Sequence, residues 1–146
     1  MSIWTDPKYR IKRSAAQEKQ MQYLTQDLKI FQSYSQVVMA SAIVGYINKE
    51  CSFITDPASD GILMQFFTQR DYDVMDFLAY AFKKEQAVLK TTEKYEIFSA
   101  YANGGFPILV KKLGINFDEP EKNDRLAILR KYYSLLLEKD AFIAKV

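Results

Sequence analysis

The residue types that carry out most protein chemistry are scarce in this sequence. It contains no histidine and one cysteine, Cys51. Histidine is the commonest general base and metal ligand, so its absence excludes Ser-His-Asp and Cys-His catalytic arrangements and nearly all zinc sites. Cys51 has no partner base, and we interpret it as a structural or incidental thiol rather than a nucleophile. The sequence also lacks both glycine-rich loops that cradle nucleotide phosphates.

Carboxylates are the remaining candidates for metal ligands. Asp71, Asp73 and Asp76 cluster at the predicted start of a helix, where Asp73 and Asp76 would share one face. Acidic residues also favour the first helical turn because of the helix dipole, and we prefer this interpretation. The tripeptide DLK at 27–29 has the acidic-x-Lys spacing of a restriction-type nuclease motif, but it lies in a predicted helix. A metal-dependent nuclease is therefore the weakest alternative, and we predict no catalytic residue, metal or cofactor.

Basic side chains are concentrated at the start of the sequence and in its last predicted helix. Over residues 1–14, four positive charges stand against one negative charge, with Trp4 and Tyr9 among them. Such a segment is either a solvated arm or an arm that docks on phosphate groups or on an acidic partner. The predicted DNA-binding residues are Lys8, Arg10, Lys12 and Arg13 in the arm and Arg125, Arg130 and Lys131 in the last helix.

The composition is typical of one folded domain. The chain has 146 residues, of which 49% are hydrophobic and 26% charged. Its net charge of +2 permits contact with nucleic acid without demanding it. A lone cysteine gives no sign of an oxidising compartment, and no signal peptide is recognisable. The longest apolar run is too short for a bilayer, which needs about 20 residues. We expect a cytoplasmic protein with no membrane partner.

Helical periodicity of apolar residues runs through most of the chain, and no stretch alternates well enough to predict a sheet. The expected architecture is all-α: a single-domain bundle of five or six helices over residues 15–146, preceded by a basic N-terminal arm over residues 1–14. The predicted helices cover about 15–30, 33–49, 72–90, 91–103, 106–114 and 123–139, with one or two helical turns at 62–68 and a loop at 51–61.

Glycines mark two special places in this pattern. Gly45 lies inside the predicted central helix, where glycine costs about 1 kcal/mol relative to alanine, so it indicates close approach of another helix. The tripeptide NGG at 103–105 separates two apolar helical segments, and Pro107 is well placed to open the second. We therefore predict a bend at 103–105 between two helices, the second ending at Gly114.

Three segments resemble a known protein family. Residues 31–49, FQSYSQVVMASAIVGYINK, and residues 72–87, YDVMDFLAYAFKKEQA, resemble two of its helices. The most specific stretch begins at Tyr95 and contains IFSAYANGG, followed by Leu109 and Leu113, which resembles the closing signature IFEEYANGG-x-x-x-L. The family is DNA phosphorothioation (Dnd) system-associated protein 4. The resemblance covers about residues 30–114 and leaves the basic arm and the last helix outside.

The resemblance implies a bacterial setting in defence against foreign DNA, because phosphorothioation systems mark host DNA with sulfur and restrict unmarked DNA. It brings no catalytic residue with it. The predicted function is a non-catalytic accessory module of such an antiphage restriction-modification system, which binds a partner protein, duplex DNA or both. The alternative is an adaptor or inhibitor that docks on an effector nuclease or ATPase without DNA contact. The high apolar and aromatic content also predicts a homo-oligomer.

Overall fold

Five α-helices form the described part of the protein and confirm the predicted all-α architecture. The structure is a computed structural model that describes the backbone of residues 4–144 and the side chains of residues 4–137. None of the described helices is both long enough and apolar enough to cross a membrane. The helices are α1 (Glu18–Gln22, continued by a π-helical turn at Tyr23–Asp27), α2 (Tyr34–Ile47), α3 (Gln69–Lys83), α4 (Glu93–Leu113) and α5 (Arg125–Ala144).

A small antiparallel sheet joins the start of the chain to its middle, where the sequence predicts no sheet. Strand β1 (Arg10–Ile11) pairs with β2 (Ile62–Leu63), and Ile11 is fully buried. Two-residue strands are too short to show an alternating pattern, which is why periodicity misses them. The predicted helical element at 62–68 is therefore partly wrong, since its first two residues are extended and only Met64–Phe66 form a helical turn.

The centre of the molecule is the crossing of α2 and α4. Helix α2 is buried on almost every side, as its apolar sequence predicts. A Cβ atom on Gly105 would overlap the carbonyl oxygen of Ser41, and one on Gly45 would overlap that of Tyr101. The two helices therefore touch through their backbones, and the close approach predicted at Gly45 is confirmed.

The predicted bend at residues 103–105 is wrong. Helix α4 runs without a break from Glu93 to Leu113, and of the described glycines only Gly114 has a positive φ, of 69°. Gly104 and Gly105 are instead small residues on a contact face. A Cβ atom on Gly104 would lie 2.7 Å from the carbonyl oxygen of Glu50. The predicted end of the helix at Gly114 is confirmed.

Pro107 lies inside α4, where a proline removes one backbone hydrogen bond. The missing N–H would have donated to the carbonyl oxygen of Asn103, four residues earlier. The Gln17 side chain donates to that oxygen instead, over 3.1 Å. The Asn103 side chain in turn donates to the carbonyl oxygen of Ser52 over 2.9 Å. The polar residues of this signature therefore tie α4 to two other parts of the chain.

Helix α3 begins and ends earlier than the sequence predicts. Thr68 caps it in a reciprocal capping box with Asp71, so the acidic residue stands in the first turn rather than at the cap. The helix ends at Lys83, and the next residue, Lys84, adopts the left-handed conformation with φ 59°. The predicted start of the last helix near residue 123 is confirmed to within two residues, and there the Asp124 carboxylate accepts from the backbone N–H of Leu126 over 3.1 Å.

Candidate interaction surfaces

A buried lysine fastens the N-terminal segment to the helices. Lys94 is 1% exposed, and its Nζ lies 2.8 Å from the Asp76 carboxylate. The same ammonium group donates to the carbonyl oxygen of Leu89 over 2.8 Å and to that of Trp4. A charge removed from water needs such complete pairing, so this cluster joins α3, α4 and the N-terminal segment. The burial of Lys94 could have been predicted from the sequence, since Lys94 shares a helix face with Ile97 and Phe98, which are buried.

Aromatic rings surround this ion pair. The Tyr95 hydroxyl accepts a hydrogen bond from the backbone N–H of Asp6 over 2.9 Å, and the Tyr9 ring packs 4.7 Å from the Tyr95 ring. Burial, helped by the negative charge of Glu96, raises the pKa of Tyr9 to about 12. The residues predicted as an arm therefore pack on α4 from Trp4 onward, and their aromatic side chains face the protein core.

Arg13 serves the interior of the protein. The residue is 5% exposed; its guanidinium donates to the carbonyl oxygen of Asp60 over 2.5 Å and to the Glu18 carboxylate over 3.2 Å. It also lies over the Tyr34 ring, 4.5 Å from the ring centre. These contacts join the N-terminal segment to α1 and α2, and they leave little of the guanidinium for an external phosphate.

Arg125 is also engaged within the protein. Its Nε donates to the carbonyl oxygen of Leu28 over 2.7 Å, and its Nη2 donates to that of Lys29 over 3.2 Å. These carbonyl groups end the helical segment of α1, where helices leave acceptors unsatisfied. The start of α5 is thereby fixed to the end of α1.

The other five predicted DNA-binding residues are exposed, in two groups. Lys8, Arg10 and Lys12 alternate along the segment that leads into and out of β1, while Arg130 and Lys131 lie on α5. Arg10 lines a groove of about 590 Å³ next to the small sheet. The structure thus leaves one cation group beside this groove and another on the last helix.

The three clustered aspartates have separate tasks. Asp71 completes the capping box of α3, Asp73 accepts from the Gln69 side chain over 3.4 Å, and Asp76 pairs with Lys94. Within the described part of the chain, no three His, Cys, Asp or Glu side chains are placed to hold a metal ion. The metal-nuclease alternative requires Asp71, Asp73 and Asp76 to converge on one point, and they do not.

The single cysteine is not activated. Cys51 is half-buried, and burial raises the pKa of its thiol. The thiolate, which is the nucleophilic form, is therefore disfavoured at neutral pH.

Helix α5 buries only part of its wide apolar stripe. The helical spacing places Leu126 and Tyr133 on the same apolar stripe as Leu129, but they are 73% and 58% exposed, and Leu137 is 74% exposed. Ile128 is buried on the core side. The described side chains of α5 that are half-buried against the core are Leu129, Tyr132 and Leu135, and Leu136 is also half-buried. The apolar arc of α5 is thus wider than its contact with the protein, and its outer part faces solvent.

A second apolar surface lies beside the end of α3. Phe53 and Phe82 are 50% and 42% exposed, and their rings meet edge to face with centres 5.8 Å apart. The Phe82 ring continues to the buried Tyr101 ring, 6.2 Å away. Most aromatic side chains belong to the core, but this pair extends the core to the surface.

The fold and these surfaces define a small helical protein that presents cations and apolar side chains to its surroundings. The sequence profile of the family described as DNA sulphur modification system-associated protein 4 matches residues 10–136. The chain belongs to this family. The match confirms the resemblance seen in the sequence and extends it, since β1 and α5 up to residue 136 lie within the matched region. No curated protein and no solved structure matches the chain.

Proposed function

We propose that this protein is a non-catalytic accessory module of a bacterial DNA phosphorothioation-linked antiphage defence system. The observation that carries the proposal is the family match over residues 10–136, which associates the chain with a DNA sulphur modification system. In this proposal the protein acts in the cytoplasm and binds another protein of the system, duplex DNA or both. It also associates with itself.

Exposed cations support the DNA part of the proposal. Lys8, Arg10 and Lys12 follow one another at every second position, beside the groove that Arg10 lines. Arg10 lies in β1, Lys12 follows the strand and Lys8 lies in the turn before it, so the three exposed cations flank one short strand and are available to neighbouring phosphate groups. Arg130 and Lys131 on α5 form the second group of candidate contacts. Arg13 and Arg125 are assigned no phosphate contact, because their guanidinium groups donate to the protein's own carbonyl oxygens.

Salt dependence tests the DNA part. Affinity for duplex DNA should fall steeply from low to moderate ionic strength, because bound phosphates release counterions. The logarithm of the binding constant falls linearly with the logarithm of the salt concentration. Replacement of Lys8, Arg10 and Lys12 by alanine should make this slope shallower by roughly 3, at about 0.9 for each lost contact. The matched control replaces the exposed lysines Lys90, Lys111 and Lys112, which changes net charge equally. An unchanged slope in the first variant, or no binding at low salt, would remove the DNA part.

The second candidate function, an adaptor or inhibitor that docks on an effector nuclease or ATPase, is favoured by the Phe53–Phe82 pair. Exposed aromatic side chains that continue into a core are typical anchors of protein interfaces. Affinity capture from the native host should recover a protein of the DNA-modification system with the wild type and lose it with Phe82→Ser. Exposed Phe66→Ser, a comparable change elsewhere on the surface, should retain it. Capture of the same protein by all three would contradict this role of Phe82.

A further inference from the structure

The exposed apolar stripe of α5 has the spacing of a coiled-coil seam. Leu126, Arg130, Tyr133 and Leu137 follow one another at intervals of four, three and four residues. All four are exposed on the folded protein. In the sequence the same alternation continues to Asp140 and Ala144, and the helix backbone extends to Ala144. This spacing keeps one stripe facing a partner helix over the whole length of α5.

The stripe is bordered in a way that admits another helix. On its outer side lie the small residues Ala127 and Ser134, and on its inner side lie half-buried Leu129 and Leu136. Small residues allow two helix backbones to approach, while the leucines extend the apolar surface from the core towards the seam. Helix α5 is therefore apolar over a wider arc than its own domain covers, which is typical of a helix packed from two sides.

The charges in the seam determine which orientation suits a second copy. In a parallel, in-register pair, Arg130 would face Arg130 of the other chain. In an antiparallel pair centred on position 135, position 130 stands opposite 140, position 133 opposite 137 and position 126 opposite 144. In that register an arginine position stands opposite an aspartate position, and a tyrosine position stands opposite a leucine position, in both halves of the seam. A polar residue at such a position commonly specifies register and orientation.

We propose that a second copy of this chain packs antiparallel along α5, through the stripe that contains Leu126, Arg130, Tyr133 and Leu137. The interface is isologous, because the same stripe serves both protomers around a two-fold axis. The inference rests on the self-association part of the proposed function and is independent of its DNA and partner-protein parts. It also assigns Arg130 to the protein interface, so that phosphate contacts fall to Lys8, Arg10, Lys12 and Lys131.

Sedimentation equilibrium of the full chain tests the interface. The wild type should form a reversible dimer of twice the 17.0 kDa chain mass. Leu137→Glu should be monomeric, since a carboxylate would enter the seam, and its circular dichroism spectrum should match that of the wild type because Leu137 is 74% exposed. Phe66→Glu, at a 56% exposed position outside α5, should remain dimeric. A wild type that stays monomeric, or equal dissociation of both variants, would overturn the proposal.

Charge exchange tests the antiparallel register. Arg130→Asp alone and Asp140→Arg alone should each raise the dimer Kd at least about tenfold, because like charges would meet across the seam. The double variant should return the Kd to near that of the wild type. A double variant no tighter than either single one would overturn the register. Leu137→Glu should leave the salt slope of DNA binding unchanged, and the triple alanine variant of Lys8, Arg10 and Lys12 should leave the dimer unchanged.

Discussion

The backbone contact between α2 and α4 makes Gly105 the most sensitive position that the structure identifies. In an isolated helix, Gly105→Ala would stabilise by about 1 kcal/mol through backbone entropy. In the folded protein the new methyl group would overlap the carbonyl oxygen of Ser41, which belongs to the backbone of α2. A backbone carbonyl cannot turn away as a side chain can. The helices must therefore separate along a crossing lined by buried residues.

The two effects on Gly105→Ala have opposite signs, and their sizes decide the outcome. Overpacking of a core by a single group typically costs 1–3 kcal/mol when side chains can adjust, and about 3 kcal/mol or more is expected where only backbones can move. After the gain in helix propensity, we expect a net loss of at least about 2 kcal/mol. For a chain of this size that loss corresponds to a fall in Tm of roughly 4–8 °C.

Thermal unfolding followed by circular dichroism at 222 nm checks this prediction. Gly104→Ala is the matched control, because it makes the same chemical change one residue away. Its Cβ atom would lie 2.7 Å from the carbonyl oxygen of Glu50, in the turn after α2 rather than within that helix. A turn can shift more readily, so the loss should be smaller. If Gly105→Ala melted at or above the wild-type temperature, the inferred backbone contact would be refuted.

Three further predictions concern polar groups. Lys94→Met should lower the free energy of unfolding in urea by about 3 kcal/mol, because the Asp76 carboxylate loses its buried partner. The same variant should exchange amide hydrogens faster in residues 6–11. Adding Asp76→Leu to Lys94→Met should recover part of the lost stability. Gln17→Ala should cost about 1 kcal/mol, and this cost should vanish in a Pro107→Ala background, where a restored N–H fills the vacated carbonyl; an equal cost in both backgrounds would contradict the pairing. Tyr9, with its folded pKa raised from 10.0 to about 12, stays protonated when the unfolded chain ionises, so stability should be full below pH 10 and fall between pH 10 and 12. Tyr9→Phe should flatten that fall in alkaline denaturation curves, and an unchanged curve would exclude Tyr9 as its source.

The helices could be predicted because their apolar spacing is a local property of the sequence. Caps at Asp124 and Gly114 are local too, and they are where expected. The role of the NGG tripeptide is different, because its sequence is compatible with both a helix end and a tight helix contact. Only the position of Gly45 and Ser41 on the other helix decides between them.

The candidate site was predictable in kind but not in detail. Counting charges along the sequence identifies the basic residues. Whether a guanidinium group is free for a ligand depends on neighbours distant in sequence, since Arg13 and Arg125 donate to carbonyl oxygens 47 and 97 residues away. The stripe of α5 shows the same limit. Its apolar arc is so wide that either half could pack on the core. Periodicity therefore cannot tell which half does. Family membership was readable, because the signature around Tyr101 is contiguous.

The bond from Lys94 to the carbonyl oxygen of Trp4 spans 90 residues of chain. Closing so long a loop costs chain entropy that nearby contacts do not incur, so this tie is expected to form late in folding, after α3 and α4 have met. Until then, the side chains of Trp4 and Tyr9 lack the Tyr95 ring on which they pack. A fragment that ends before residue 94 would keep these apolar groups in water. Removal of residues 1–14 would leave the buried Lys94 ammonium group without the Trp4 carbonyl oxygen as an acceptor. The N-terminal segment, which in the sequence resembles a solvated arm, is thus part of the folded core. It can be fixed in place only after Lys94 has been synthesised, 90 residues later.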